Sequence, residues 1–211
     1  MSLALVCWDF GDTLADERWM LQAPEGCPEW PDAWGQLLAN NPELIERWDL
    51  GEASFDDVVP LMIAELEDLG AEPQSDAWVR DHCRWCCEHL SFFPAAVEAL
   101  IAWRGVVAQA CVTVNPDVFR DWVVPAYDLT SRFDMVVTSD TVHSVNKVHM
   151  AQRALNVLGL DAEIADCLLI DNRMDNCREF RAAGGQTYHF RSDAEFGPDR
   201  ARGRFPAPLT R

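Results

Sequence analysis

Five polar residues stand at or beyond the ends of short apolar runs. Asp9 follows Leu3-Ala-Leu-Val-Cys-Trp8, Thr113 follows Val106–Val112, and Asp171 follows Cys167–Ile170, with Asp175 four positions on. Lys147 lies ten positions beyond a further run, Phe133–Val137, which leads into Thr138-Ser-Asp140. A carboxylate nucleophile, a hydroxyl, an ammonium and an acidic pair make a set suited to phosphoryl transfer. Asp9 can attack phosphorus. Lys147 and a metal can balance charge on the phosphoryl oxygens. Mg²⁺ prefers hard oxygen ligands and can take them from Asp9, Asp171 and Asp175. Taken singly, each residue has a commoner explanation, since an Asp closing a strand more often serves a turn or a helix cap.

These side chains meet only if the runs are neighbouring parallel strands. A short uninterrupted apolar run is the mark of a strand buried on both faces. Thr187–Phe190 is a shorter fifth candidate. Helical patterns separate the runs. Val97, Leu100 and Ile101 fit one helix, and Asn115 as N-cap with Pro116 at the first position opens another. Lys147 to Leu158 places Val148, Ala151, Leu155 and Leu158 on one face, and Gly184-Gly185 stops a helix that runs on from Asp175. The alternation predicts an α/β class with a doubly wound, Rossmann-like parallel sheet. In such a sheet ligands bind beyond the carboxyl ends of the strands.

One stretch breaks the alternation, because no strand pattern occurs between Ala15 and Ser91. Ser54 reads as an N-cap, and Phe55, Val58, Val59, Met62, Ile63, Leu66 and Leu69 follow at helical spacing. Pro60 is expected to kink that helix or shift its start. Val79, Cys83, Cys86 and Leu90 mark another helix. Residues 16–91 therefore read as a helical insertion into a core made of residues 1–15 and 92–211. Six of the nine tryptophans (Trp19, Trp30, Trp34, Trp48, Trp78 and Trp85) fall within it and are expected to form a small core of their own. His82, Cys83, Cys86, Cys87 and His89 could be read as a zinc site, but the cysteines fit the apolar face of the helix better. The tail after Phe190 reads as polar and loosely held.

Composition narrows the options. A chain of 211 residues with 49% apolar content can build a packed interior. The net charge of −18 argues against nucleic acid and anionic membranes as partners. A small anionic substrate can bind only where a metal or a local cation reverses the field. No run reaches the length of a transmembrane helix, and the apolar start is too short for a signal peptide. Eight cysteines, with Cys7, Cys111 and Cys167 inside or at the start of apolar runs, read as buried reduced thiols and point to the cytoplasm. Oligomeric state is left open, a homodimer included.

Asp9-Phe-Gly-Asp-Thr-Leu14 resembles the first motif of the haloacid dehalogenase-like (HAD) hydrolase superfamily. Val-Thr113-Val-Asn115 resembles the second, Lys147 after Val-Val-Thr-Ser-Asp140 the third, and Asp171-Asn-Arg-Met-Asp175 before a helix ending in Gly184 the fourth. The four fall in order over nearly the whole chain. The insertion lies where many members carry a substrate-closing cap, and Phe92-Phe-Pro94 resembles their usual return to the core. The resemblance implies a Mg²⁺-dependent phosphatase acting on a small phosphorylated metabolite. Asp9 would form an aspartyl-phosphate, and Thr113, Asn115 and Lys147 would bind the phosphoryl group. Asp9, the Gly11 carbonyl, Asp171 and Asp175 would hold Mg²⁺.

Two departures stand out. Family phosphatases usually carry a second Asp at the position of Gly11, where it protonates the leaving group. General acid–base help of that kind is worth about 10²–10⁴-fold. Asp12 is one position late, and its side chain serves only if the loop turns it round. Asp171-Asn172-Arg-Met-Asp175 also partly resembles the pattern of the metal-free haloacid dehalogenases, which keeps a dehalogenase as the alternative. A non-catalytic binding protein on the same scaffold is the third reading.

Overall fold

The computed structural model describes residues 3–202 and, within them, all side chains except those of residues 17 and 19. The Trp19 side chain and the end of the tail therefore lie outside what is described. Five strands, β1 (Leu5–Trp8), β2 (Ala108–Thr113), β3 (Met135–Thr138), β4 (Cys167–Asp171) and β5 (Gln186–His189), form one parallel sheet. Their spatial order is β3-β2-β1-β4-β5, so the first strand is central. Its residues alternate between two hydrophobic layers. Leu5 and Cys7 pack with Ala110, Val112 and Leu169 on one face, while Val6 and Trp8 pack with Cys111 and Ile170 on the other. Burial on both faces is why β1 has no polar residue until Asp9.

The insertion holds α1 (Trp30–Asn40), α2 (Pro42–Asp49), α3 (Phe55–Asp68) and α4 (Asp76–Glu88). Ser54 caps α3 in a reciprocal box with Asp57, and Pro60 sits inside the helix without moving its start. Trp30, Trp34 and Trp48 are buried, whereas Trp85 is exposed and stacks on His89. Cys83, Cys86 and Cys87 form the buried face of α4. His82 Nε2–H donates to the Gln22 carbonyl at 2.7 Å.

Beyond the insertion come α5 (Pro94–Trp103), the short α6 (Val124–Ala126), α7 (Leu129–Arg132) and α8 (Ser139–Val142), then α9 (Lys147–Leu158), α10 (Met174–Ala182) and α11 (Asp193–Ala201). The helix expected at Val97, Leu100 and Ile101 is α5, whose inner face is Ala96, Ala99, Leu100 and Trp103, with Ile101 exposed. Two expectations need correction. Asn115 caps no helix, because residues 114–116 are loop and the following turns include a π-helical stretch at Phe119–Val123. The tail is not wholly loose. Ser192 caps α11, which buries Phe196 completely against Trp8, Tyr188 and Phe190. Burying one such ring stabilises the fold by about 1.5–3 kcal/mol, enough to hold a polar helix in place. All eight cysteines are buried and free. No described helix is long and apolar enough to cross a membrane.

Candidate active site

Strand register sets the first contacts. Trp8 pairs with Cys111 on one side and Ile170 on the other, and the Asp9 N–H donates to the Ile170 carbonyl at 2.9 Å. Asp9 and Asp171 therefore stand at one level beyond adjacent strands, with Thr113 one step further along β2. Lys147 is the first residue of α9, fixed there because the Asn146 side chain accepts from the Val148 and His149 N–H groups. Its Nζ donates to Asp9 Oδ1 at 2.6 Å and to the Val112 carbonyl at 2.7 Å, and lies 3.7 Å from Asp171 Oδ2. All four side chains are buried. Burial pushes the Asp171 carboxyl above its ordinary range, and the charge on Asp9 pushes it further. Lys147, the Arg173 N–H and the Asn176 amide pull it back.

Asp175 does not join this group. Its side chain is 78% exposed and pairs with Arg178 at 3.1 Å. The residue that faces inward is its neighbour Asn176, whose Nδ2 reaches the two Asp171 oxygens at 3.1 and 2.9 Å. One step along a helix turns a side chain by about 100°. The expected acidic pair of Asp171 and Asp175 is thus replaced by Asp171 with Asn176.

Asn115 Nδ2 donates to Thr113 Oγ1 at 2.7 Å, and its backbone N–H donates to Ser139 Oγ at 3.1 Å. Asp140, close behind, is buried between Arg120 and Thr138, so it supports the loops instead of facing a ligand. After β1, Gly11 bridges to Ala15, and Asp12 adopts a left-handed φ of 49° with its N–H on the Ala15 carbonyl at 2.7 Å. A non-glycine residue rarely takes that conformation. The loop does turn, and Asp12 lines the same cavity as Asp9.

That cavity measures about 500 Å³, a size suited to one small molecule. The core side presents Asp9, Gly11, Thr113, Asn115, Lys147 and Asn172, and the insertion side presents Met20, Leu21, Trp34, Ile45, Trp48 and Asp49. Asp49 ends α2, and burial pushes its carboxyl up to about 6. Sequence patterning missed Asp49 and Asn176, and gave Asn172 only as part of the motif after Asp171. Only the helical phase after Asp171 hinted at Asn176, and nothing local marked Asp49.

The donors fit a hard cation. The Asn172 N–H donates to Thr13 Oγ1 and its carbonyl accepts from His189 Nε2, but its buried side-chain Oδ1 has no partner among the described residues. An orphaned buried acceptor costs about 1–3 kcal/mol, and a cation would satisfy it. Among the described residues, no three His, Cys, Asp or Glu side chains cluster around one point. The cavity wall instead offers the Asp9 carboxylate, Gly11 and the Asn172 amide, with the Asp171 carboxylate buried behind them. That set suits Mg²⁺, which keeps several of its waters.

Compared by sequence, the chain matches no family profile and no curated protein. Solved structures do share its architecture. A HAD family enzyme from Bacteroides thetaiotaomicron, in complex with magnesium and inorganic phosphate, is 15% identical, with 88% of this chain and 93% of that one covered at a TM-score of 0.62. The L-2-haloacid dehalogenase of Xanthobacter autotrophicus, with chloropropionic acid covalently bound, is 19% identical over 98% and 85% of the two chains at 0.66. A magnesium-bound HAD hydrolase from Bacillus subtilis is 16% identical over 89% and 86% at 0.59. Sheet order, insertion point and these likenesses establish the haloacid dehalogenase-like α/β fold.

Proposed function

We propose that the chain is a hydrolase that cleaves small phosphomonoesters through Asp9 with the help of Mg²⁺. The observation that carries this reading is the buried constellation of Asp9, Lys147 and Asp171 beside the partnerless oxygen of Asn172. Asp9 Oδ attacks phosphorus, and Lys147 holds that carboxylate and offsets charge on the phosphoryl oxygens. Thr113, steadied by Asn115, donates to a phosphoryl oxygen. Asp9, Gly11 and Asn172, backed by Asp171, would hold Mg²⁺, which when bound neutralises phosphoryl charge. The apolar wall from Trp34 to Trp48 would take the organic part of a small anionic substrate.

A haloacid dehalogenase is the second reading, favoured by the absence of a second Asp two residues after Asp9 and by the likeness to the Xanthobacter autotrophicus enzyme. Against it stand Asp171, where the dehalogenase pattern has Ser, and a cation-ready oxygen next to it. Hydrolysis of an activated aryl phosphate, with and without Mg²⁺, by wild type and Asp9→Asn decides. Turnover that needs both Mg²⁺ and Asp9 supports the phosphomonoesterase. Chloride release from a 2-haloacid without metal, in place of phosphate release, overturns it.

A further inference from the structure

Cleavage of an unactivated ester needs a proton at the leaving oxygen, and Gly11 carries no side chain to give one. In-line displacement at phosphorus puts that oxygen on the side away from Asp9, and the insertion supplies part of the wall of the cavity. Two ionisable residues of the insertion line that wall, Arg18 and Asp49. Arg18 is engaged by Asp16 at 2.6 Å and is too basic to give up a proton near neutrality. The Asp49 carboxyl forms no hydrogen bond or ion pair with any described residue.

Asp49 is also held to the core on both sides. Trp48 Nε1–H donates to Asp117 Oδ1 at 2.7 Å, and the other oxygen of Asp117 accepts from the Phe55 N–H at 3.0 Å. His143 Nδ1–H donates to the Leu50 carbonyl at 2.7 Å. Gly51, at φ 71°, rests on the Asp140 carbonyl so closely that a Cβ would overlap it. These contacts tie the end of α2 to the segments that follow β2 and β3, so the carboxyl stays in the wall of the cavity that Asp9 also lines.

We propose that Asp49 is the general acid–base of the reaction, a catalytic residue supplied by the insertion in place of the side chain absent at Gly11. This rests on the phosphomonoesterase reading above. As Asp9 Oδ bonds to phosphorus, the P–O bond to the alcohol breaks and its electron pair passes to the leaving oxygen. Asp49 gives its carboxyl proton to that oxygen, and the alcohol departs neutral. In the second half, a water oxygen attacks phosphorus of the aspartyl-phosphate, Asp49 takes a proton from that water, and Asp9 leaves as a carboxylate. Ester and water become alcohol and phosphate, and Asp49 ends protonated as it began. Burial disfavours its charged form and pushes the carboxyl up to about 6, suited to giving and taking a proton.

The test compares kcat/KM, which reads transfer to Asp9, on two esters: a simple alkyl phosphate and p-nitrophenyl phosphate, whose leaving group needs little protonation. Asp49→Asn is expected to lower the alkyl value by about 10²–10³-fold and the aryl value by less than about 5-fold. Equal losses on both esters, or none on either, overturn the proposal. A leaving-group-selective loss in Asp12→Asn with none in Asp49→Asn also overturns it and assigns the role to Asp12. Wild-type hydrolysis of neither ester overturns the phosphomonoesterase reading itself, and this proposal with it. Far-ultraviolet circular dichroism and thermal melting confirm that each variant is folded.

Discussion

Lys147 Nζ sits between two buried carboxylates, 2.6 Å from Asp9 Oδ1 and 3.7 Å from Asp171 Oδ2. One cation shared by two anions leaves one negative charge over, in a place that water barely reaches. Burial pushes Asp171 upward and the charge on Asp9 adds to it, and the excess negative charge favours a further cation.

Removing Lys147 should therefore be far worse for the fold than removing Asp9. Lys147→Met leaves two buried carboxylates facing each other and should cost about 3–5 kcal/mol in urea unfolding. Asp9→Asn leaves Lys147 with Asp171, a neutral pair, and should cost under about 1 kcal/mol while reducing phosphatase turnover at least about 10³-fold. Comparable destabilisation by the two variants would contradict the shared-charge arrangement.

Mg²⁺ should raise the melting temperature, with a stabilisation of about 2.7 kcal/mol at a hundred times its Kd, and a chelator should reverse the gain. Asn172→Ala removes the partnerless oxygen and should weaken the response several-fold. Asp175→Ala, which alters an exposed ion pair, should leave it unchanged. Thermal melts across a MgCl₂ series would show the ranking, and a larger loss in Asp175→Ala would restore the acidic pair expected from the sequence.

Asp49 makes stability depend on pH. Its carboxyl, pushed up to about 6, binds a proton more tightly folded than unfolded. The stability this contributes is fully present below the unfolded value near 4 and is lost as pH rises through 6. Asp49→Asn removes the buried charge and should stabilise the protein by about 1–2 kcal/mol at pH 8, allowing for partial solvent screening. The gain should vanish as pH falls towards 4. A gain that persists undiminished at pH 4 would assign it to packing.

Gly51→Ala should cost about 2–4 kcal/mol, because φ is 71° and the new Cβ meets the Asp140 carbonyl. The variant should also lower kcat/KM on alkyl esters through displacement of Asp49. Calorimetry together with the ester comparison would register both effects, and an unaltered melting temperature would show that the turn is not clamped.

Much of the architecture was legible in the chain. Each apolar run became a strand in the expected sheet, because strands buried on both faces stay almost wholly apolar, and the one buried exception in β2, Gln109, is bonded to Trp8 and the Leu100 carbonyl. The positions of Asp9, Thr113 and Asp171 follow from that. Lys147 was legible for a related reason, since it opens an amphipathic helix that must pack on the sheet. The misread residues share a different cause. Asn115 found Thr113 and Ser139 instead of a helix end, and Phe196 found Trp8 from nearly two hundred positions away. Such contacts leave no local periodicity to read.

The sequence by itself determined the α/β class and the residues at the strand ends, because burial and strand length act locally. Only the tertiary structure decided that Asn176 and not Asp175 faces Asp171, since one residue of helical phase separates inward from outward. Tertiary structure also brought Asp49 to the cavity that Asp9 lines. Those carboxylates are forty positions apart on different elements, and only the packing of α2 against the loops after β2 and β3 makes them two walls of one cavity.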